Sequence, residues 1–169
     1  MEYTFREAST ADIPRIMEII GEAKRQMARE GKNQWDDAYP TRADIESDIA
    51  GGAARVMLVG TGRIVAYGAI ALTGEPAYND IRGRWLSDRP YAVLHRLAVA
   101  EETKGRGVGL LFIREAERLA IAAGVKSFKV DTNHDNSRML RLLEKAGFTF
   151  CGTIRYPQGE RMAFEKLLQ

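Results

Sequence analysis

The segment from Leu94 to Gly109 constrains the fold more than any other stretch of the chain. It reads Leu-His-Arg-Leu-Ala-Val-Ala-Glu-Glu-Thr-Lys-Gly-Arg-Gly-Val-Gly. An apolar strand runs into a glycine-rich loop. The loop then opens a helix whose apolar face is Val108, Leu111, Phe112, Ala116, Leu119, Ala120 and Ala123. Such a junction belongs to a layered architecture of helices on a sheet. The first amides of the helix lack carbonyl partners, and the helix dipole adds partial positive charge there. Gly105, Gly107 and Gly109 remove side chains that would block close approach, and Lys104 and Arg106 add charge. The junction is therefore a cradle for an anion, above all a phosphate group.

Periodicity and turn signals order the rest. Tyr3 to Arg6 alternates as a strand. Ser9, Thr10 or Asp12 can cap a helix that carries Ile13, Ile16, Met17, Ile20, Ala23 and Met27 on one face and ends near Glu30-Gly31. Thr41 caps a shorter helix to about Ala50. Arg55 to Val59 and Arg63 to Leu72 form a hairpin around Gly60-Thr61-Gly62. Thr73 to Pro90 reads as a long polar loop, and Tyr91 to Val99 as the next strand. Ser127 to Thr132 is a strand. Asn136 caps a helix that buries Met139, Leu142, Leu143 and Ala146 and stops at Gly147. Phe148 to Ile154 and Met162 to Leu168 are the last strands. The fold class is α/β (α+β), with helices interleaved into a mixed sheet.

With 169 residues the chain suits one domain, spanning 1–169. A net charge of +2 gives no argument for a nucleic-acid partner. The single cysteine, Cys151, can form no internal disulfide. The N-terminal residues lack the apolar core of a signal peptide. The longest apolar stretch, Ile64 to Leu72, is broken by Gly68 and is far short of a membrane span. The expectation is a soluble cytoplasmic protein with no membrane partner. No His and Cys spacing suggests a metal site.

Two common phosphate motifs fail. No lysine followed by Ser or Thr closes the loop as a P-loop requires. The dinucleotide fingerprint, started at Gly105, meets Leu110 where its third glycine belongs. Lys104-Gly105-Arg106-Gly107-Val108-Gly109 instead resembles the acyl-coenzyme A loop, [QR]-x-x-G-x-[GA], of the GNAT N-acetyltransferase superfamily. Leu97-Ala98-Val99 looks like the end of that family's fourth strand. Asn136 followed by Leu142-Leu143-Glu144-Lys145-Ala146-Gly147-Phe148 looks like its later N…L-Y-E-K-x-G-F signature. The resemblance spans nearly the whole chain.

The resemblance implies a mixed central sheet with splayed fourth and fifth strands and helices on both faces. It implies acetyl-CoA as co-substrate, without a metal, and acetyl transfer to an amine by direct attack in a ternary complex. Strand backbone at Leu97, Ala98 and Val99 would pair with pantetheine. The loop Lys104, Gly105, Arg106, Gly107, Val108 and Gly109 would hold the pyrophosphate, and Asn136 would bond the pantetheine arm. A strand amide would stabilise the developing oxyanion. His95 lies on the strand that should flank the thioester and is the candidate base, since an attacking amine must lose a proton. His134, in a loop, is expected to be structural or exposed. A homodimer is a family expectation.

Leu143 departs from the pattern, because many members place there a tyrosine that protonates the leaving thiolate. Tyr156 and Cys151 are the candidate substitutes for that acid, and a non-catalytic acyl-CoA-binding domain is the alternative function. Trp35, Tyr39 and Trp85 are expected in loops that frame the acceptor pocket. Glu75, Asp80 and Asp88 could meet a cationic acceptor.

Overall fold

In the computed structural model, which describes residues 2–60 and 62–169, eight strands and four α-helices are interleaved along the described chain. The chain divides into two units, Met1–Ile70 with His95–Phe112, and Ala71–Leu94 with Ile113–Gln169.

The first unit begins with β1 (Tyr3–Glu7) and α1 (Ile13–Arg29). Pro14 stands in the first turn of α1, where its missing amide is not needed, and Gly31 at φ 71° follows its end. Ile13, Ile16, Ile19 and Ile20 are buried, each contributing roughly 1.5–3 kcal/mol of apolar burial. Ile19 takes the place expected of Met17, which is only half-buried. At 100° per residue the two lie on opposite flanks of the apolar stripe, and the Ile19 flank is the buried one. Thr41 caps α2 (Arg42–Ala50) as expected. Its hydroxyl accepts from Asp44 N at 3.3 Å, and the Asp44 carboxylate accepts from Thr41 N at 2.7 Å. β2 (Ala54–Val59) and β3 (Arg63–Ala71) form the expected hairpin, with Val56 opposite Tyr67. Thr61, in its turn, lies outside the described residues. The strand order in this unit is β1-β2-β3-β5, where β5 is Ala92–Val99. Phe5 packs edge-on against Phe112 at 5.2 Å, close to the start of α3 (Val108–Ala122).

The second unit contains the start of β5, then β6 (Ser127–Thr132), α4 (Ser137–Ala146), β7 (Thr149–Tyr156) and β8 (Gly159–Leu167). β6 pairs antiparallel with β8 along its whole length, from Ser127↔Leu167 to Thr132↔Met162. With β5 it shares only two parallel pairs, Ala92↔Phe128 and Val93↔Lys129. Antiparallel and parallel pairing together make the sheet mixed, as read from the sequence.

The segment Thr73 to Pro90 is more ordered than a long loop. It contains a 3-10 turn, Pro76–Asp80, and a two-residue strand, β4 (Arg82–Gly83), paired antiparallel with β7. Gly83 lies opposite Gly152, both at positive φ. A Cβ on Gly83 would strike the Cys151 carbonyl oxygen, and one on Gly152 the Arg82 carbonyl oxygen. This extra strand makes the family's fourth and fifth strands β5 and β6 here. Asn136 caps α4 by accepting from Met139 N at 3.2 Å, and Gly147 at φ 91° closes it. Among the described residues, no helix is long and apolar enough to cross a membrane.

Candidate active site

The glycine loop lies in the first unit. Leu111 N donates to Gly107 O at 3.1 Å, so Gly107 is the cap of α3, and the amides of Val108, Gly109 and Leu110 form its open first turn. Gly105 and Gly107 take φ 81° and 77°. A Cβ on either would meet nothing within 4 Å. Backbone conformation therefore selects glycine here, and the space over the loop is open. Gly109 lies inside the first turn of the helix.

Arg106 is exposed between the two glycines. Lys104 is half-buried, and its ammonium donates to the side-chain oxygen of Gln26 on α1. Two acids precede the loop, and both are paired with arginine. Arg29 donates to Glu101 at 3.1 Å. Glu102 accepts from Arg63 at 2.8 and 3.0 Å and from Arg15 at 2.5 Å. Arg63 foremost, with Arg15, holds its carboxyl down to about 2 against a smaller desolvation effect. These pairs offset negative charge beside a cradle that would take an anion.

β5 carries His95, Leu97, Ala98 and Val99 in the same unit, with Ala98 buried and the others half-buried. Between His95 and Leu97, Arg96 adopts φ 56°, the left-handed region, which costs a non-glycine residue roughly 1–2 kcal/mol. Its side chain is clamped. Nη2 and Nε donate to Asp48 at 2.5 and 2.8 Å, and Nη1 donates to the Tyr39 hydroxyl at 2.9 Å. Tyr67 OH donates to the same Asp48 at 2.5 Å. Burial lowers the tendency of Arg96 to hold its proton, but Asp48 and Tyr39 outweigh it and push the guanidinium up. Burial and Asp48 push the Tyr67 hydroxyl up as well. This clamp fixes a kink that interrupts the two-residue alternation of β5.

Asn136, Leu143, Tyr156 and Cys151 belong to the second unit. Asn136 is half-buried at the cap of α4, and Leu143 is wholly buried. Leucine carries no titratable proton, so that position supplies none. Tyr156 OH and Tyr78 OH both donate to Asp131 Oδ2, at 3.0 and 2.6 Å. Burial foremost, then Asp131, raises both hydroxyls. The Cys151 thiol donates to Thr149 O at 3.4 Å and is raised by burial and by Glu165.

Of the aromatic residues expected in loops, Trp35 is buried, Tyr39 is exposed beside Arg96, and Trp85 donates its indole N–H to Tyr78 O at 2.9 Å. Asp80, Asp88 and His134 are exposed. The Tyr91 hydroxyl bridges the backbone of Glu75, accepting from its N at 3.1 Å. Neither the Asp48–Arg96 clamp, whose partners lie far apart in the chain, nor buried Lys129 on β6 was expected from spacing or periodicity. A lysine between the apolar residues Phe128 and Val130 was the available signal for Lys129. No group of three or more His, Cys, Asp or Glu residues stands ready for a metal among the described residues.

Residues 14–148 match the acetyltransferase (GNAT) family. A tRNA-acetylating toxin of Mycobacterium tuberculosis is 31% identical over 116 residues, which cover 64% of this chain and 69% of that protein. A GNAT-family acetyltransferase structure from Streptococcus agalactiae 2603 is 33% identical, with a TM-score of 0.90 over 99% of this chain and 96% of that one. A GNAT superfamily phosphinothricin acetyltransferase from Sinorhizobium meliloti, solved in complex with AcCoA, shares the fold. Its TM-score is 0.71 at 17% identity, covering 99% of this chain and 89% of that one. The family match covers most of the chain, so this protein belongs to the GNAT acetyltransferase family and is an acyltransferase of the N-acetyltransferase class.

Proposed function

We propose that the protein transfers the acetyl group of acetyl-CoA to a primary amine of a small molecule or peptide by direct attack in a ternary complex. The observation that carries this reading is the loop at the start of α3. Gly105 and Gly107 in left-handed conformation open onto free space beside first-turn amides, as a pyrophosphate requires. Acetyl-CoA supplies an activated acetyl thioester. The loop from Lys104 to Gly109 binds its anionic end, with Arg106 as the exposed cation. Backbone of Leu97, Ala98 and Val99 pairs with its amide arm, and Asn136 adds a hydrogen bond from the cap of α4. His95 takes the proton that the attacking amine must lose. Orientation of the two substrates supplies much of the acceleration, so no covalent intermediate on the protein is needed.

A second reading is a non-catalytic acyl-CoA-binding domain, favoured by the burial of Leu143 where many members carry a tyrosine acid. One experiment separates the two. Thiol release from acetyl-CoA is followed across a panel of amino acids, arylalkylamines, peptides with free N-termini and aminoacyl-tRNA. The tRNA arm is included because of the similarity to a tRNA-acetylating protein. Turnover with at least one amine supports the enzyme. Acetyl-CoA binding with no turnover across the panel supports the binding domain.

A further inference from the structure

Lys129 is an unusual residue for the middle of a strand. It is 3% exposed, and its ammonium lies 4.1 Å from the Trp85 ring centre and 3.9 Å from that of Tyr91. Aromatic faces attract a cation, but they accept none of its three hydrogen bonds. The acid opposite it in register, Glu165, is fully buried and already engaged. Its oxygens accept from Leu86 N at 2.7 Å, Ser87 Oγ at 2.7 Å and Ser127 Oγ at 2.6 Å. Among the described residues, the Lys129 ammonium makes no hydrogen bond or ion pair. Burial pulls its proton affinity down, against the pull of Glu165 and Cys151 in the other direction.

The ammonium borders a cavity of about 610 Å³ built wholly within the second unit. Arg84 and Arg89 line the same cavity, and neither guanidinium is paired with a carboxylate among the described residues. Asp88 is the one acid in the wall, so three cations face one carboxylate. The wall is also held in shape. Glu165 pins Leu86 and Ser87 to β8, and Trp85 is bonded to Tyr78 O. A cationic recess of this size fits more than a bare ion, and Trp85, Tyr91 and Leu86 offer apolar surface to the remainder of a ligand.

We infer that this cavity is a binding site for a small organic oxyanion, whose carboxylate or phosphate accepts from Lys129 with Arg84 and Arg89 closing around it. Lysine acts here as a buried point charge, and the arginines supply the planar donors that suit such groups. The inference does not depend on the acetyl-CoA reading, because it uses no residue of the glycine loop.

The test uses the full chain with Trp35→Phe, which leaves Trp85 as the fluorescent reporter at the cavity. Benzoate, phenyl phosphate and neutral benzamide are titrated separately. Saturable changes with benzoate or phenyl phosphate, and none with benzamide, are expected. The two anions together tell carboxylate from phosphate. Lys129→Met should weaken anion binding by about tenfold to a hundredfold, the worth of a charge-assisted hydrogen bond, while circular dichroism shows the fold intact. Arg84→Gln with Arg89→Gln, both on the exposed rim, should weaken it as well and serves if Lys129→Met fails to fold. Equal binding of benzamide and benzoate, or unchanged anion affinity in the folded variants, would overturn the site.

Discussion

Arg96 is the residue at which local strain and long-range pairing meet. Its left-handed backbone is held by a largely buried pair with Asp48, shared with Tyr67 and Tyr39. Removing one partner of such a pair leaves an uncompensated charge and costs about 3–5 kcal/mol. Asp48→Ala should therefore lower Tm by roughly 6–20 °C, at about 2–4 °C per kcal/mol for a chain of this size. Tyr67→Phe, which removes one hydrogen bond, should cost about 1 kcal/mol. Denaturant melts of the two variants and their double mutant check this, and additive effects would contradict a shared network. This clamp was not legible in the sequence, because Asp48 sits in a helix, its partners Tyr67 and Arg96 come from β3 and β5, and Tyr39, bonded to Arg96, comes from the loop before α2. Spacing within a helix or strand cannot report a contact between distant segments. His95, by contrast, was legible as a candidate from its residue type and its strand. His95→Ala should shift the acidic limb of the pH–rate profile, and an unaltered profile would return it to a structural role.

At the scale of elements, the caps show how far local chemistry specifies structure. Thr41, Asn136 and Gly147 stand where capping rules place them, because those rules depend only on neighbouring residues. Asn136→Ala should destabilise by about 1 kcal/mol through the lost cap alone. The same variant should weaken acetyl-CoA binding only if Asn136 also meets the pantetheine arm. β4 was not legible, since two residues carry no period and its partner strand lies some seventy residues on, at about Gly152. What specifies it is the close approach of two glycines, which only the paired strands reveal.

Glu102 joins α1, β3 and the turn before the glycine loop through Arg15 and Arg63. Its folded carboxyl is depressed to about 2, below the ordinary 4.5. Its contribution is therefore present above about pH 4.5 and disappears as pH falls toward 2. Its side chain is 43% exposed, so screening keeps that contribution below about 1 kcal/mol. The Tm difference between wild type and Glu102→Gln should shrink over that window, whereas a constant difference would contradict the assignment.

For the whole molecule, the order of helices and strands was readable because each long element has a clear apolar period. The acetyl donor was readable because the glycine loop and the Asn136 to Phe148 segment keep family spacing. The acceptor was not, because it depends on side chains that folding gathers from separate segments. On the proposed function, the loop from Lys104 to Gly109 binds acetyl-CoA. Gly107→Trp tests it, since the open space around Gly107 and its φ of 77° predict a folded protein with a modest strain and a filled cradle. The most direct measurement is Tm against acetyl-CoA concentration for wild type and Gly107→Trp. A ligand that binds only the folded state at one hundred times its Kd stabilises by about 2.7 kcal/mol. This predicts a rise of roughly 5–11 °C for the wild type and none for the variant. No rise with acetyl-CoA, alongside a rise with ATP or NAD, would rule out acetyl-CoA as the guest of this loop.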